Sequence, residues 1–380
     1  MRRSLLDHLQ CPASHQPLDV AAVHSRFSLD GDEHIVDGVL ASTDGAFRYP
    51  VLDEIPRLLA PSWWNDDERA VLERTVDTRT VEPEMVDPAM LEAEIRRRAV
   101  ARWTIDGELS DDRRARAHSE GDYIVAEMYG DNKRKYVDIL TPHIDSVDSL
   151  LELGGNFPGL TRVLSERFKP RRAVVANLAI TYPEAFKSPR RDIACVRADA
   201  QALPFRDGDF ELVVTAFMLE HVPDWRRAMD HILRVGERAF VAFGPNAAFP
   251  FEVGHVNAPL AGSLPAPLDR WVAWPFLAAT GKRRSLRSIK AILDHVYHVS
   301  AWRFRGRAKR LGAAPHNLFP ALVERIIADK EAPLTGPRRV LKRFPALGRL
   351  TARLLATTGL EPQMYYLLRG HTGLLRGRTG

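Results

Sequence analysis

The stretch Arg197–Val214, RADAQALPFRDGDFELVV, decides the fold that the sequence predicts. It joins two apolar segments that we expect to be strands, Ile193–Arg197 and Leu212–Phe217. Upstream lies Ser149–Gly159, SLLELGGNFPG, and downstream lies Met218–Trp225, MLEHVPDW. A short apolar run that ends in glycines is typical of a parallel strand buried on both faces and followed by a tight turn.

The surrounding segments alternate between predicted strands and predicted helices. This alternation predicts a doubly wound, mostly parallel α/β sheet of seven strands, in which ligands bind beyond the C-terminal ends of the strands. Tyr297–Phe304 is predicted to be the antiparallel hairpin mate of the last strand, and a helical insertion precedes that last strand. The remaining strands are expected at 149–153, 172–176, 238–243 and 363–369, and the helices at 160–168 and 225–235.

Length and composition place few limits on function. The 380 residues, 45% of them hydrophobic, can bury a large core and predict two domains. No run of about 18 apolar residues exists, so neither a membrane span nor a signal peptide is expected. The only cysteines are Cys11 and Cys195, too few for a disulfide framework, which fits a reducing compartment. We therefore expect a cytoplasmic protein.

Charge is distributed unevenly along the chain. Residues 281–380 contain 21 lysines and arginines against five acidic residues, so this quarter carries +16 although the whole chain carries +5. Such a basic segment could attract an acidic substrate, an anionic membrane surface or nucleic acid. A solvated arginine-rich surface is the simpler alternative.

The order and wording of the central motifs resemble the small-molecule branch of class I S-adenosylmethionine (SAM) dependent methyltransferases, the type 11 group that includes quinone-biosynthesis methyltransferases. The resemblance covers residues 147–246. It implies a Rossmann-like methyltransferase domain, SAM as cofactor and methyl transfer to the O, N or C atom of a small molecule, for example in secondary metabolism or cell-envelope biosynthesis.

The first sixty residues are similar to a small zinc-ribbon-like domain known as a methyltransferase activator. In the metal-bound form, two Cys-x-x-Cys knuckles supply four thiolates. Here Cys11 remains, but Ser14, Ala41 and Asp44 stand at the other three positions. One thiolate cannot hold a structural zinc, so we predict a metal-free ribbon and assign no metal ligands. Its core is expected to consist of Leu5, Leu9, Phe47, Tyr49, Val51 and Ile55.

The predicted domains are therefore the β-rich ribbon at 1–60, a helical connector and cofactor lid at 61–140, and the methyltransferase domain at 141–380. In the connector, Asp87 before Pro88 predicts a helix start, with Met90, Ile95, Val100 and Trp103 on one side. Tyr123, Met128 and Tyr129 either line a cofactor pocket or belong to the core. Insertions at 247–290 and 315–360 are expected to build the acceptor pocket, whose candidate aromatic residues are Phe249, Phe251, Trp271, Trp274 and Phe276.

The resemblance assigns cofactor contacts to the ends of successive strands. Glycines after the first strand let the backbone approach the ligand, and Glu152 can orient the turn amides and attract the ammonium group of SAM. Asn177 takes the ribose position, Asp199 and Ala200 the adenine position with Leu203 and Phe205 nearby, and Phe217 follows the fourth strand. The cofactor-binding residues are thus Glu152, Gly154, Gly155, Asn177, Asp199, Ala200 and Phe217.

Three departures from the family pattern leave alternatives open. In the first loop, Asn156 and Pro158 replace the second and third glycines, and an additional glycine, Gly159, follows them. Asn177 replaces an acidic residue after the second strand. Before the fifth strand, Val235-Gly-Glu-Arg238 replaces the usual Pro-Gly-Gly turn. A SAM-fold protein without methyltransferase activity, either a regulator or a catalyst of another reaction, is the first alternative. An RNA-binding or RNA-modifying protein that uses the basic C-terminal quarter is the second.

Two histidines are the candidate catalytic residues. Methyl transfer needs mainly in-line positioning and, where the acceptor must lose a proton, a base. His221 follows the fourth strand and His255 follows the fifth, so either could serve as that base. The competing interpretation of both is a histidine that only packs and forms hydrogen bonds within its loop.

Overall fold

In the computed structural model, the described residues are 1–104, 108–187, 192–252, 255, 257–261, 263–265, 267–280, 289–290, 293–329 and 336–369. The chain forms two compact units, Met1–Asp209 and Phe210–Gly380. Each unit is a part of the chain that is compact in space. The domain boundaries at residues 60 and 140 rest on sequence resemblance and stay a prediction. No helix among the described residues is both long and apolar enough to cross a membrane.

The first unit begins with an antiparallel meander of β1 (Leu18–Leu29), β2 (Asp32–Ser42), β3 (Arg48–Leu52) and β4 (Ile55–Leu58). Asp30 and Gly31 connect β1 to β2, and both have positive φ, as a two-residue turn between twisted strands requires. The predicted ribbon core is buried except for Phe47, which is exposed.

Cys11 is a small, buried side chain. It is inaccessible to solvent, and its Sγ lies 3.2 Å from the Tyr49 hydroxyl and 3.3 Å from the backbone nitrogen of Ser14. The backbone amide of Ser14 thus donates to the Cys11 thiol and closes the turn between them.

The segment that follows is helical. It contains α1 (Asp66–Glu73), the two-residue strand β5 (Arg79–Thr80), α2 (Pro88–Trp103), α3 (Asp111–Tyr129) and α4 (Arg134–Leu140). The Asp87 side chain accepts a hydrogen bond from the Ala89 backbone nitrogen at 2.9 Å, so the predicted start of α2 is confirmed. The buried side of α2 consists of Leu91, Ile95 and Ala99, a strict four-residue spacing. The expectation for Met90 was wrong, because its side chain is 72% exposed.

Three parallel strands complete the sheet of the first unit. They are β6 (Ser149–Leu153), β7 (Arg172–Asn177) and β8 (Ile193–Ala198), with α5 (Gly159–Phe168) between the first two. The predicted strands and helix are therefore confirmed to within two residues. Their side chains are buried along almost their whole length, as expected for parallel strands covered on both faces.

The predicted seven-stranded, mostly parallel sheet beside a separate ribbon is wrong in one respect. Arg57 and Leu58 of β4 pair in parallel with Arg197 and Ala198 of β8, so the ribbon strands continue the same sheet. Within the described part of residues 1–209 the strand order is β6-β7-β8-β4-β3-β2-β1-β5, a mixed sheet. The buried carboxylate of Glu68 forms ion pairs with both Arg57 and Arg197, which stabilises this junction.

The second unit contains β9 (Phe210–Ala216), α6 (Trp225–Val235), β10 (Gly236–Pro245) and β12 (Gln363–Arg369) in the positions that the sequence predicts. Strand β10 is parallel to β9 and antiparallel to β12. The other elements are α7 (Leu268–Ala279), α8 (Ala301–Arg310), β11 (Ala314–Asn317), α9 (Phe319–Ala328), α10 (Gly336–Arg343) and α11 (Pro345–Thr358).

The predicted strand at Tyr297–Phe304 is wrong. Ser300 caps a helix there, and Ala301, Phe304 and Ala308 form its buried face at helical spacing. The antiparallel mate of β12 is instead β11, from residue 314 to residue 317, so the helical insertion before the last strand begins with a short strand. The alternation of aromatic and polar residues at 297–304 fits a strand locally, but the serine cap and the buried helical face decide the conformation.

Candidate functional site

Three candidate cofactor positions follow neighbouring parallel strands of the first unit. Glu152 lies near the end of β6, Asn177 ends β7, and Asp199 comes directly after β8. Because β6 pairs with β7 and β7 with β8 in parallel, these residues share one edge of the sheet. The C-terminal edge of a parallel sheet is where such folds bind ligands.

Glu152 is a buried carboxyl group that organises the first loop. Its Oε2 accepts hydrogen bonds from the Thr161 backbone nitrogen at 2.9 Å and from the Thr161 hydroxyl at 2.6 Å. Burial raises the pKa of Glu152 to about 7, although the bonds from Thr161 act in the opposite direction. Thr161, which the sequence analysis did not single out, therefore couples the end of β6 to the first turn of α5.

The first loop keeps the two glycines that its course requires. Gly154 has a φ of +87°, and its backbone nitrogen donates to the Ala176 carbonyl at 2.9 Å. At Gly155, a Cβ atom would lie 2.7 Å from Glu152 Oε1, so a side chain would displace the carboxyl group. Phe157 stacks on Tyr182 at a ring distance of 5.0 Å, which holds the loop against the cluster that contains Met128 of α3.

Gly159, the additional glycine of the loop, serves helix packing. A Cβ there would lie 1.8 Å from the Glu127 carbonyl oxygen and 2.7 Å from the Gly130 nitrogen. The C-terminal turn of α3 therefore approaches the start of α5 more closely than any side chain allows. Met128 and Tyr129 pack in the core formed by α2 and α3, whereas Tyr123 is exposed.

Asn177 is linked to the first loop. Its Nδ2 donates to Asn156 Oδ1 at 3.1 Å, and its Oδ1 accepts from the Leu178 nitrogen at 2.8 Å. Two of the residues that depart from the pattern of the family that the sequence resembles, Asn156 and Asn177, therefore contact each other. The Arg197 Nε also donates to the Leu178 carbonyl at 3.0 Å, which fixes the loop after β7.

Asp199 is half-buried and caps a short 3₁₀ turn, Ala200–Ala202. Its Oδ1 accepts from the Gln201 backbone nitrogen at 2.8 Å, and both carboxylate oxygens lie 3.2 to 3.4 Å from the Gln201 side-chain amide. The carboxylate is thus held in a fixed orientation at the sheet edge. Leu203 and Phe205 are completely buried and belong to the core of this unit.

In the second unit, Phe217 directly follows β9 and has a φ of +55°, an unusual conformation for an aromatic residue. Its backbone nitrogen donates to the Phe243 carbonyl at 2.8 Å. This kink at the strand end leads directly into the 3₁₀ turn Leu219–His221, which carries the first candidate catalytic histidine.

The structure brings the two candidate histidines together. The rings of His221 and His255 are 5.2 Å apart and nearly perpendicular. Nδ1 of His255 lies 2.9 Å from Glu252 Oε1, and Nδ1 of His221 lies 3.2 Å from the His295 carbonyl oxygen. Ligand atoms of Glu220, His221 and His255 lie within 4.8 Å of one another, so this group could hold a metal ion.

The electrostatics of the two histidines differ. Partial burial lowers the pKa of His221, while the hydrogen bond that the His255 ring donates to Glu252 raises the pKa of His255. Burial also raises the pKa of Glu220 to about 7. Sequence reasoning missed Glu220 and Glu252, although both lie within three residues of a singled-out histidine.

The aromatic residues proposed for an acceptor pocket do not share one environment. Phe251 and Phe276 contact each other edge to face at 5.8 Å, and Phe276 packs against the small core around α7. Trp271, by contrast, is 73% exposed, and Trp274 is also exposed. Thirteen of the 44 residues in the predicted 247–290 insertion, eight of them at 281–288, lie outside the described residues.

Comparisons with known proteins identify one segment of the chain. Residues 160–239 match the family model described as a methyltransferase domain. This match covers about a fifth of the sequence and includes α5, β7, β8, β9 and α6. A comparison with curated protein sequences found no match.

Several solved structures are similar at low identity. A SAM-dependent methyltransferase from Mesorhizobium loti is 13% identical, with 63% of this chain and 99% of that chain covered at a TM-score of 0.39. Geranyl diphosphate C-methyltransferase from Streptomyces coelicolor is 12% identical, and the match covers 73% of this chain and 96% of that chain with a TM-score of 0.37. A chain in the complex of the Haloferax volcanii Trm112 methyltransferase activator with a methyltransferase is 11% identical. That match covers 66% of this chain and 94% of the other with a TM-score of 0.40. The chain therefore carries a segment, residues 160–239, that matches the methyltransferase-domain family.

Proposed function

We propose that this protein is a SAM-dependent methyltransferase that acts on a small-molecule acceptor. The observation that carries the proposal is the methyltransferase-domain match at 160–239, because Asn177 and Asp199 of that segment follow adjacent parallel strands. With Glu152 they supply two carboxyl groups and an amide at one sheet edge. This set suits the ammonium, hydroxyl and amine groups of SAM.

The residues around the loop fit such a ligand. Gly154 and Gly155 keep side chains away from the loop backbone, and Asp199 is half-buried with its orientation fixed by Gln201. We assign Glu152, Gly154 and Gly155 to the methionine part, Asn177 to the ribose, and Asp199 with Ala200 to the adenine. Phe217, which directly follows β9, is proposed as a further cofactor contact. We also retain the quinone-biosynthesis-like subtype as part of this proposal.

Bound SAM would supply a methyl group already activated on a sulfonium. The chain then needs to position the acceptor and, for an acceptor that loses a proton, to accept that proton. His255 is the stronger candidate base, because the Glu252 carboxylate orients its ring and stabilises its protonated form. His221 is the second candidate.

Calorimetric titration with SAM and with its demethylated product tests the cofactor assignment. We expect Asp199→Ala to abolish binding of both ligands, because a charged acceptor for the adenine amine is lost. Asp199→Asn is the matched control for folding, since its side-chain oxygen can still cap the turn at Gln201. Equal SAM affinity in the wild type and in Asp199→Ala would remove the adenine assignment.

A wild-type chain that binds neither ligand would favour the alternative of a SAM-fold protein without methyltransferase activity. Where SAM does bind, the acceptor can be sought by comparing metabolites of a deletion strain and its parent. We expect one compound that differs between the strains by a single methyl group.

A membrane contact is a separate part of the proposal. Helix α11 buries its small residues Gly348, Ala352 and Ala356 and exposes three leucines at helical spacing, Leu347, Leu350 and Leu354. An apolar face turned to solvent within a strongly basic quarter matches an anionic lipid surface in both polarity and charge. We propose that this face contacts such a surface peripherally, which suits a lipid-like acceptor.

A further inference from the structure

A cluster of potential ligands lies in the second unit, where the turn after β9 meets the segment after β10. Glu220 and His221 belong to the turn Leu219–His221, and His255 follows β10 by ten residues. One ligand atom of each lies within 4.8 Å of the others, although 34 residues separate His221 from His255. Two imidazoles and one carboxylate form a donor set that suits first-row divalent metals.

Glu220 is the first reason to expect a cation here. The residue is 2% exposed, and within the described part of the chain its Oε1 is buried without a hydrogen-bond partner. A buried carboxylate oxygen that lacks a partner is costly, and a bound cation is one of the few groups that can compensate. The backbone around Glu220 is held in place, because its carbonyl accepts from the Tyr297 nitrogen at 2.6 Å.

The tautomers of the histidines are the second reason. A backbone carbonyl can only accept, so the 3.2 Å contact of His221 Nδ1 with the His295 carbonyl places the hydrogen on Nδ1. The Glu252 carboxylate does the same for Nδ1 of His255 at 2.9 Å. In both neutral rings Nε2 is then the nitrogen with a lone pair. Histidines that bind metals show this pattern, with the other ring nitrogen donating to a carboxylate or a carbonyl.

Glu252 is itself well placed to orient His255. It is buried, and besides the ring it accepts from the backbone nitrogens of His255 at 3.0 Å and of Asn257 at 2.9 Å. Three bonds within six residues fix both the loop and the imidazole. Glu252 is therefore a positioning residue rather than a ligand.

We propose that Glu220, His221 and His255 bind one divalent first-row transition-metal ion. Three protein ligands leave coordination positions open, as in sites where water or a substrate oxygen completes the shell. A cavity of about 20 Å³ borders the carboxyl groups of Glu220 and Glu252 and is large enough to hold one water beside Glu220. His221 is solvent-exposed, which provides a route for exchange.

The two roles of the histidines exclude each other. In the metal-bound form neither ring accepts a proton. The ion held by Glu220, His221 and His255 would instead lower the pKa of a bound acceptor hydroxyl, so that its proton could pass to solvent water. The inference does not depend on methyl transfer. A chain that binds metal here but does not bind SAM keeps this inference and loses the proposed function.

Titration with Co²⁺ after removal of metals by a chelator tests the site in the full, tag-free chain. We expect one Co²⁺ per chain, with visible absorption bands of a nitrogen and oxygen ligand set. Glu220→Gln and His255→Gln should weaken the binding by more than about 100-fold, and Glu252→Gln by roughly 10- to 100-fold, because it only orients a ligand. His118→Gln, which changes an exposed histidine of α3, should leave it unchanged.

A second measurement needs no variant and therefore does not depend on whether the variants fold. X-ray absorption of the zinc-loaded wild type should show two imidazoles and oxygen ligands, without sulfur. A sulfur ligand would show that the ion binds at Cys11 or Cys195 instead, and this would overturn the proposal. A wild type that binds no Co²⁺ at micromolar concentrations, or that binds as tightly after Glu220→Gln, would also refute it.

Discussion

At the scale of single residues, Glu152 couples the stability of the fold to pH. Its pKa is about 7 in the folded chain against an ordinary value of 4.5, because burial disfavours the charged form. The folded state therefore binds more protons than the unfolded state between these two values. The contribution to stability is fully present below pH 4.5 and is lost as the pH rises through 7.

We expect Glu152→Gln to remove this dependence. Between pH 5 and pH 7.5 the wild type should lose about 2 kcal/mol of unfolding free energy more than the variant, and the Gln carbonyl can still accept from Thr161. Urea unfolding at the two pH values measures the difference. Glu166→Gln, an exposed residue of α5, should follow the wild type. Parallel pH profiles of the wild type and Glu152→Gln would mean that Glu152 is ionised in the folded chain.

A second residue-scale prediction concerns Asn177. Asn177→Asp should tighten SAM binding by on the order of 1 kcal/mol, since a carboxylate offers two charge-assisted acceptors to the ribose hydroxyls. The lost bond to Asn156 can be replaced if the Asn156 amide rotates and donates. Calorimetry measures the change, and Asn156→Asp controls for added negative charge. Weaker binding by Asn177→Asp would indicate a pocket rebuilt for another ligand.

At the scale of elements, the contact between α3 and α5 depends on one glycine. Gly159→Ala would place a Cβ against the Glu127 carbonyl and the Gly130 nitrogen, both backbone atoms that cannot rotate away. We expect a loss of roughly 1 to 3 kcal/mol of stability, measured by urea unfolding. Gly306→Ala on α8 is the control and should be neutral or slightly stabilising, because its Cβ would meet only the end of the flexible Arg310 side chain, at 3.7 Å. An unchanged stability in Gly159→Ala would show that α3 moves freely.

Some elements are predicted correctly from sequence patterns, and one is not. The strands β6, β9 and β12 are predicted within two residues, because each consists of a local apolar run with clear ends. The segment 297–304 is mispredicted, because its pattern fits two conformations and only the buried contacts of Ala301, Phe304 and Ala308 distinguish them.

At the scale of the whole molecule, the basic C-terminal quarter predicts binding to anionic surfaces. We expect co-sedimentation with phosphatidylserine-containing vesicles but not with neutral ones, and a loss of that binding in Leu350→Asp combined with Leu354→Asp. Met90→Asp, an exposed apolar residue on α2, should bind as the wild type does. Retention on RNA with a steep salt dependence, in place of vesicle binding, would support the nucleic-acid alternative.

The sequence by itself determined the parallel strands, the helices between them and the positions of Glu152, Asn177 and Asp199, because strand ends and turns follow local apolar runs and glycines. Only the tertiary structure decided that β4 pairs with β8, which merges the ribbon with the main sheet. It also decided that Gly159 serves packing and that Glu220 and His255 meet. These contacts join residues that are 29 or more positions apart. Their formation depends on how whole elements pack, and no local pattern of residues records that.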